Sequence, residues 1–311
     1  MKRLPLAVVA FAALTLAVTG CGKSGKNQSA DTLSADTIDS VEAVISDDTL
    51  TVKFMDYAGD RDSTAASCIR VDWPTGTDAF AQTVKEFIAE QLKTNYLPRI
   101  NSVEDVSGKY PYYKGGLDKP QAMIDFYGKG VLRYLTAAYE ELAHDMREYG
   151  SGDYEVPQMS YSLELRKYAE TSKYVTYHIN DYSFTGGAHG SYSGYSVNIS
   201  KVTNRPIAHS VDSTRLKALQ PMLRKGVVRY LRECGESDAN TSNLSNYLLL
   251  PEESKGVIPL PAIAPYVEKD SLCFIYQQYE IAPYALGLVS FNIALKDIKP
   301  YLTKEARNLM E

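Results

Sequence analysis

The 311-residue chain has 33 basic and 38 acidic residues, a net charge of −5, and basic residues that are scattered rather than striped. A phosphate backbone requires a concentrated basic face, so nucleic acid is excluded as a partner. Four cysteines and four histidines contain no C-x-x-C pair and no H-E-x-x-H spacing, and the glycines form no phosphate cradle, so neither a metal site nor a cofactor is expected.

At the N-terminus a short basic start, Met1 to Arg3, precedes an almost unbroken apolar run from Leu4 to Val18, and then Val18-Thr19-Gly20-Cys21. The run is too short for a dependable membrane span. It resembles a bacterial lipoprotein signal with its lipobox, which implies cleavage after residue 20, lipid on Cys21 and attachment to a membrane through that lipid. Cleavage removes two basic residues and no acidic one, so −5 becomes −7. Residues 21–47 are small, polar and increasingly acidic and read as a flexible tether. Surface-exported lipoproteins of one Gram-negative group often carry acidic residues directly after the cysteine. Gly22-Lys23-Ser24-Gly25 stands there instead, which by that resemblance favours the periplasmic side of the envelope.

Leu50 to Tyr57 and Ala65 to Trp73 read as strands. Thr77 or Asp78 then caps a helix with Phe80, Val84, Phe87, Ile88 and Gln91 on one face, ending near Asn95. After a turn-rich loop, Asp118 and Pro120 open a longer helix running to Gly150, with an apolar stripe from Met123 to Met146. Three alternating segments follow, centred on Tyr161–Leu165, Val175–Ile179 and Tyr195–Ile199. They predict antiparallel strands whose other face, including Thr176, His178, Ser196 and Asn198, is polar. Glu170-Thr171-Ser172 is the first turn. Thr203-Asn204-Arg205 is another, with Asn204 suited to a left-handed conformation. A helix from Asp212 to Glu233 is expected to be kinked or split by Pro221. Residues 235–265 are loop-rich, with a short helix around Asn243 to Leu249. Strands at Leu272 to Gln277 and Gly287 to Ala294 and a closing helix from Lys296 to Leu309 complete the chain. This order predicts an α+β fold, antiparallel sheets with helices packed on one face. For the remaining cysteines, a Cys234–Cys273 disulfide and three buried free thiols both stay open.

Between the second and third sheet strands lies Phe184-Thr185-Gly186-Gly187-Ala188-His189-Gly190. Its paired glycines suit a tight corner, and His189 can fix neighbouring carbonyls. Thr185, Gly186, Gly187, His189 and Gly190 are therefore expected to be a structural corner. Gly190-Ser191-Tyr192-Ser193-Gly194 imitates a nucleophile elbow, but tyrosine stands where that motif needs serine, and strand runs to strand. With no close His pair or nucleophile motif, no catalytic residue is assigned. Tyr192, Tyr279, Glu280 and Tyr284 are the candidate ligand-contacting residues, and Glu280 is expected either to pair with His189 or to stand as a rim acid.

The TGGAHG stretch, with the polar strand and turn behind it, resembles the ectodomain of RsiV-type anti-sigma factors and related bacterial lipoproteins. So does Tyr279-Glu280-Ile281-Ala282-Pro283-Tyr284-Ala285-Leu286-Gly287. The preceding part is similar to the module ahead of the catalytic domain in PdaC-type deacetylases. The resemblance implies two α+β modules, residues 48–200 and 201–311. It also implies a lipid-anchored envelope protein that binds a lysozyme-like protein or a glycan and is not itself an enzyme. The alternative is a peptidoglycan hydrolase or deacetylase, or an accessory to one, with His189 in its site.

Overall fold

The computed structural model describes residues 47–57, 63–96, 110–149 and 155–310. Cys21, the signal segment and the tether lie outside these residues. Among the described residues no helix is long and apolar enough to cross a membrane.

The fold is α+β. Six strands, β1 (Asp47–Tyr57), β2 (Ser63–Pro74), β3 (Met159–Glu170), β4 (Tyr174–Phe184), β5 (Ser191–Ser200) and β6 (Arg205–Pro206), form one sheet in chain order. All neighbours are antiparallel except β2 and β3, which run parallel. That pairing requires a crossover, and helices α1 (Ala79–Thr94) and α2 (Pro120–Tyr149) lie within it. Asp78 caps α1 by accepting the amides of Phe80 and Ala81, each at 2.9 Å. The buried face of α1 is Ala81, Val84, Phe87, Ile88 and Leu92. Phe80 and Gln91, expected inside, are only half-buried. On α2, Pro120 occupies the first turn, where its missing N–H costs nothing. Only the first half of α2, Met123 to Leu135, is buried; Leu142 and Met146 are half-exposed. These faces, with Ile69, Val71, Leu163, Leu165, Tyr177 and Ile179 of the sheet, form the first core.

The C-terminal part builds a second core on α3 (Leu216–Glu233) and a three-stranded antiparallel sheet of β7 (Tyr266–Glu268), β8 (Ser271–Tyr276) and β9 (Val289–Ala294). Pro221 neither splits nor ends α3, which is one helix preceded by a 3-10 turn capped by Asp212. Pro221 is exposed, as is Lys217, whose carbonyl loses its helical donor and faces water. Gly226 is buried where α3 crosses β9, and a Cβ there would stand 2.2 Å from Phe291. The expected closing helix is broken. Helix α4 (Leu295–Ile298) passes into a 3-10 turn containing Pro300, Leu302 makes a β-bridge with Val211, and Thr303 caps α5 (Lys304–Asn308). A proline that cannot donate, followed by an extended residue, ends one helix and a new cap starts the next.

Two further expectations are corrected. Cys68, Cys234 and Cys273 are free thiols; Cys234 is exposed at the end of α3, so neither the disulfide nor three buried thiols holds. Part of the polar sheet face is not wet: Thr176, Ser196, Asn198 and Ser200 are buried. The short strand β7, which no periodicity marked, packs on β5. Asn198 is the pin. Its Oδ1 accepts from Val267 N at 2.6 Å, and its Nδ2 donates to Val267 O at 3.1 Å and Thr176 Oγ1 at 2.8 Å. The side-chain amide thus does what a neighbouring strand would do, satisfying backbone groups that would otherwise be stranded.

Candidate functional site

The corner between β4 and β5 follows from its glycines. Gly186 and Gly187 have φ of +96° and +92°, conformations that a side chain bearing a Cβ adopts only under strain. Thr185 and Gly186 are half-buried, and Gly187, Ala188 and His189 are exposed. His189 stacks on Tyr284, with ring centroids 3.8 Å apart and planes 18° apart. The carbonyl of Gly190 lies 3.1 Å from His189 Nδ1 and accepts from Tyr284 Oη at 3.1 Å. A corner of the first sheet is thereby clasped to the connection between β8 and β9.

That connection presents Tyr279, 57 % exposed, its centroid 6.0 Å from that of Tyr284. Its φ is +64°, left-handed backbone for a large non-glycine residue. Such a conformation costs about 1 kcal/mol or more and persists only where the surroundings hold it. Tyr182 and Tyr192 face each other across β4 and β5. Tyr192 Oη donates to Asn180 Oδ1 at 3.0 Å, and its backbone N–H donates to Gln278 Oε1 at 3.0 Å. Burial pushes both phenols above their ordinary range, so both remain neutral donors. The result is an aromatic surface of Tyr182, His189, Tyr192, Tyr279 and Tyr284, assembled from both sheets and rimmed by the side chains of Asn180 and Gln278.

Three of the four candidate contact residues, Tyr192, Tyr279 and Tyr284, belong to this surface. Glu280 does not pair with His189. Its Oε1 accepts from Ala262 N at 2.6 Å and its Oε2 from Gln277 N at 2.7 Å, a clamp on two backbone segments. Tyr182 was missed because in an alternating strand it reads as one more sheet tyrosine.

A second histidine cluster also escaped the sequence. His178 Nδ1 is hydrogen-bonded to Ser196 Oγ, and its ring packs against Tyr168 with centroids 3.9 Å apart and planes tilted by 36°. Tyr168 Oη donates to Glu268, which also accepts from Tyr266 Oη at 3.3 Å and Cys273 Sγ at 3.5 Å. Burial lowers the His178 pKa, opposed by the nearby Glu268 carboxylate. Burial pushes Glu268 up, but the donors Tyr168, Cys273 and Tyr266 outweigh it and hold the carboxyl below its ordinary value. Burial and Glu268 raise the Cys273 thiol to about 12, so it stays protonated. Ser196 is 3 % exposed. The network ties β3, β4 and β5 to β7 and β8. Among the described residues no group of three metal-ligating side chains comes together.

Comparison with known proteins follows the same division. Residues 62–192 match the family model described as Deacetylase PdaC, and residues 211–296 match the one described as Protein of unknown function (DUF3298). No curated protein matches the chain. A DUF3298 family member from Bacteroides fragilis has a similar solved structure, with TM-score 0.63 and 19 % identity, covering 86 % of this chain and 97 % of its own. A DUF3298 family protein from Pseudomonas aeruginosa gives TM-score 0.51 at 14 % identity, with 85 % and 97 % covered. At these identities the likeness is one of fold. The chain therefore carries a PdaC-type domain followed by a DUF3298-type domain, the RsiV-like and PdaC-type architecture at family level.

Proposed function

We propose that this chain is a lipid-anchored envelope binding protein that recognises a cell-wall glycan on the aromatic surface around Tyr279. The observation that carries the reading is Tyr279 itself, a large ring held outward on left-handed backbone beside the His189–Tyr284 stack. Backbone strain that exposes an aromatic side chain contributes nothing to the core, and strain of this kind clusters at ligand-binding sites. Sugar rings offer apolar C–H faces to aromatic rings and hydroxyls to the amides at the rim, the mixture of aromatic lining and few polar groups typical of ligand sites.

The setting of His189 supports binding over catalysis. Its ring is covered on one face by Tyr284 and its Nδ1 faces a backbone carbonyl, whereas proton transfer would be served by a carboxylate or serine partner. A lysozyme-like protein is the other partner considered. Without its signal the chain carries −7, so a basic lysozyme would associate by charge at low salt and largely dissociate at about 0.3 M, where screening shortens the Debye length to about 6 Å.

The test is co-sedimentation of the full chain in detergent with purified peptidoglycan, with lysozyme titrated separately at both salt concentrations. Tyr279→Ala should keep the melting temperature and lower peptidoglycan binding about tenfold, the scale of one lost aromatic anchor. Equal sedimentation of wild type and variant would refute the reading. Tight lysozyme binding that survives 0.3 M salt would replace glycan by lysozyme as the ligand.

A further inference from the structure

The outer edge of β5 is paired at every second residue. Tyr192 N–H donates to Gln278 Oε1 at 3.0 Å, and Gly194 exchanges two bonds with the Gln277 amide, at 3.2 and 3.1 Å. Asn198 O accepts from Ile207 N at 2.9 Å, and Ser200 pairs with Arg205 of β6. Residues 192, 194, 198 and 200 thus turn their backbone groups away from β4, and the two-residue period of a strand turns those of Ser196 the same way. Among the described residues no backbone group pairs with Ser196 on that side. Ser196 lines a groove of about 480 Å³ between α1 and the second sheet, together with Phe87, Glu90, Ala208, Ile263 and Pro265 among others.

We propose that this groove takes a short extended peptide, laid antiparallel to β5, with one residue exchanging two hydrogen bonds with Ser196. The chemistry of the edge selects the occupant. One extended residue presents its N–H and C=O side by side, and the natural complement is the same pair on another extended chain. A lone secondary amide, whose N–H and C=O point in opposite directions, cannot meet both. Between Gly194 and Asn198 the edge runs for about 14 Å, four residues at about 3.4 Å each, so a central residue and one flanking residue on either side fit. The lining is mostly apolar, which calls for small side chains. Flanking pairs made by Gln277 and Ile207 confine the open position to Ser196, which blunts the edge against unlimited strand addition. This site is separate from the aromatic surface and does not rest on the glycan reading.

The experiment is hydrogen-exchange mass spectrometry on the full chain in detergent, with mixtures of N-acetylated, C-amidated tripeptides as probe. The mixture randomised over Gly, Ala, Val, Ser and Thr should slow exchange of the Ser196 amide roughly tenfold, as new strand pairing protects an edge amide. The same mixture with proline fixed at the second position lacks the central N–H and should give no protection. Ala208→Trp, which narrows the groove from an exposed position, should remove the effect while the aromatic surface keeps its peptidoglycan binding. Unchanged exchange at Ser196 with the randomised mixture, or equal protection by the proline mixture, would overturn the proposal.

Discussion

Two histidines mark the β4–β5 ribbon, His189 at its corner and His178 near its middle, each with its ring against a tyrosine at nearly the same centroid distance, 3.8 Å and stacked for His189, 3.9 Å and tilted for His178. His189 sits at an exposed glycine corner with its free face outward. His178 is hydrogen-bonded to a buried serine and packed near Tyr266 and Glu268. The residue types are almost interchangeable, yet burial gives the two sites opposite roles. Where the second sheet covers the ribbon, polar groups must find partners, and the network becomes glue between the two cores. Where the β8–β9 connection meets the ribbon, through Gln277, Gln278 and Tyr284, the aromatic rings remain available to something else.

The contrast breaks most severely at the covered site. Asn198→Ala should destabilise the chain by about 3 kcal/mol, because the N–H and C=O of Val267 lose their partners in a buried position. Chemical denaturation would measure it, and a change under 1 kcal/mol would mean that the two cores are not pinned there. At the exposed corner, Gly187→Val should cost about 2 kcal/mol, although nothing lies within 4 Å of the added Cβ. The cost is conformational, from φ +92°. An unchanged melting temperature would remove the corner from the account.

A smaller effect at the covered site depends on pH. The His178 pKa is lowered in the fold from its ordinary 6.5. An unfolded chain therefore binds the proton more readily, so the stability carried by the neutral ring is complete above 6.5 and is lost as pH falls below it. The facing groups Tyr168, Tyr266 and Cys273 stay neutral and Glu268 stays ionised over this window. His178→Gln should narrow the difference in melting temperature between pH 7.5 and pH 5.5. The smallest change is expected for His189→Ala, within about 0.5 kcal/mol, as for an exposed side chain held by one carbonyl contact and one stacked ring.

Much of this fold is visible in the residues themselves. Asp78 before an amphipathic run marks the start of α1, Asn204 adopts φ +51° as its turn requires, and the paired glycines of 186–187 announce a corner. What escapes sequence reading depends on partners far along the chain. Polar alternation in Thr176, Ser196 and Asn198 reads as a wet face, and only a three-residue strand some 70 positions later, too short to carry a period, turns it into an interior. The backbone mimicry of Asn198 and Gln277 is equally silent, since an amide that replaces a strand looks like any surface amide. The parallel pairing of β2 with β3 is hidden because each strand alone alternates as an antiparallel one would. At the aromatic surface, Tyr192, Tyr279 and Tyr284 could be picked out near the glycine and proline motifs. Their convergence with Tyr182 could not, because it depends on how the second sheet meets the corner.

The most direct test of the division between the two histidines is an NMR titration that follows the imidazole signals of His178 and His189 as soluble chitotetraose is added to the full chain in detergent. The account predicts a saturable shift of the His189 signal, lost in Tyr279→Ala, with the His178 signal unmoved. A stationary His189 signal, or a shift at His178 alone, would contradict it.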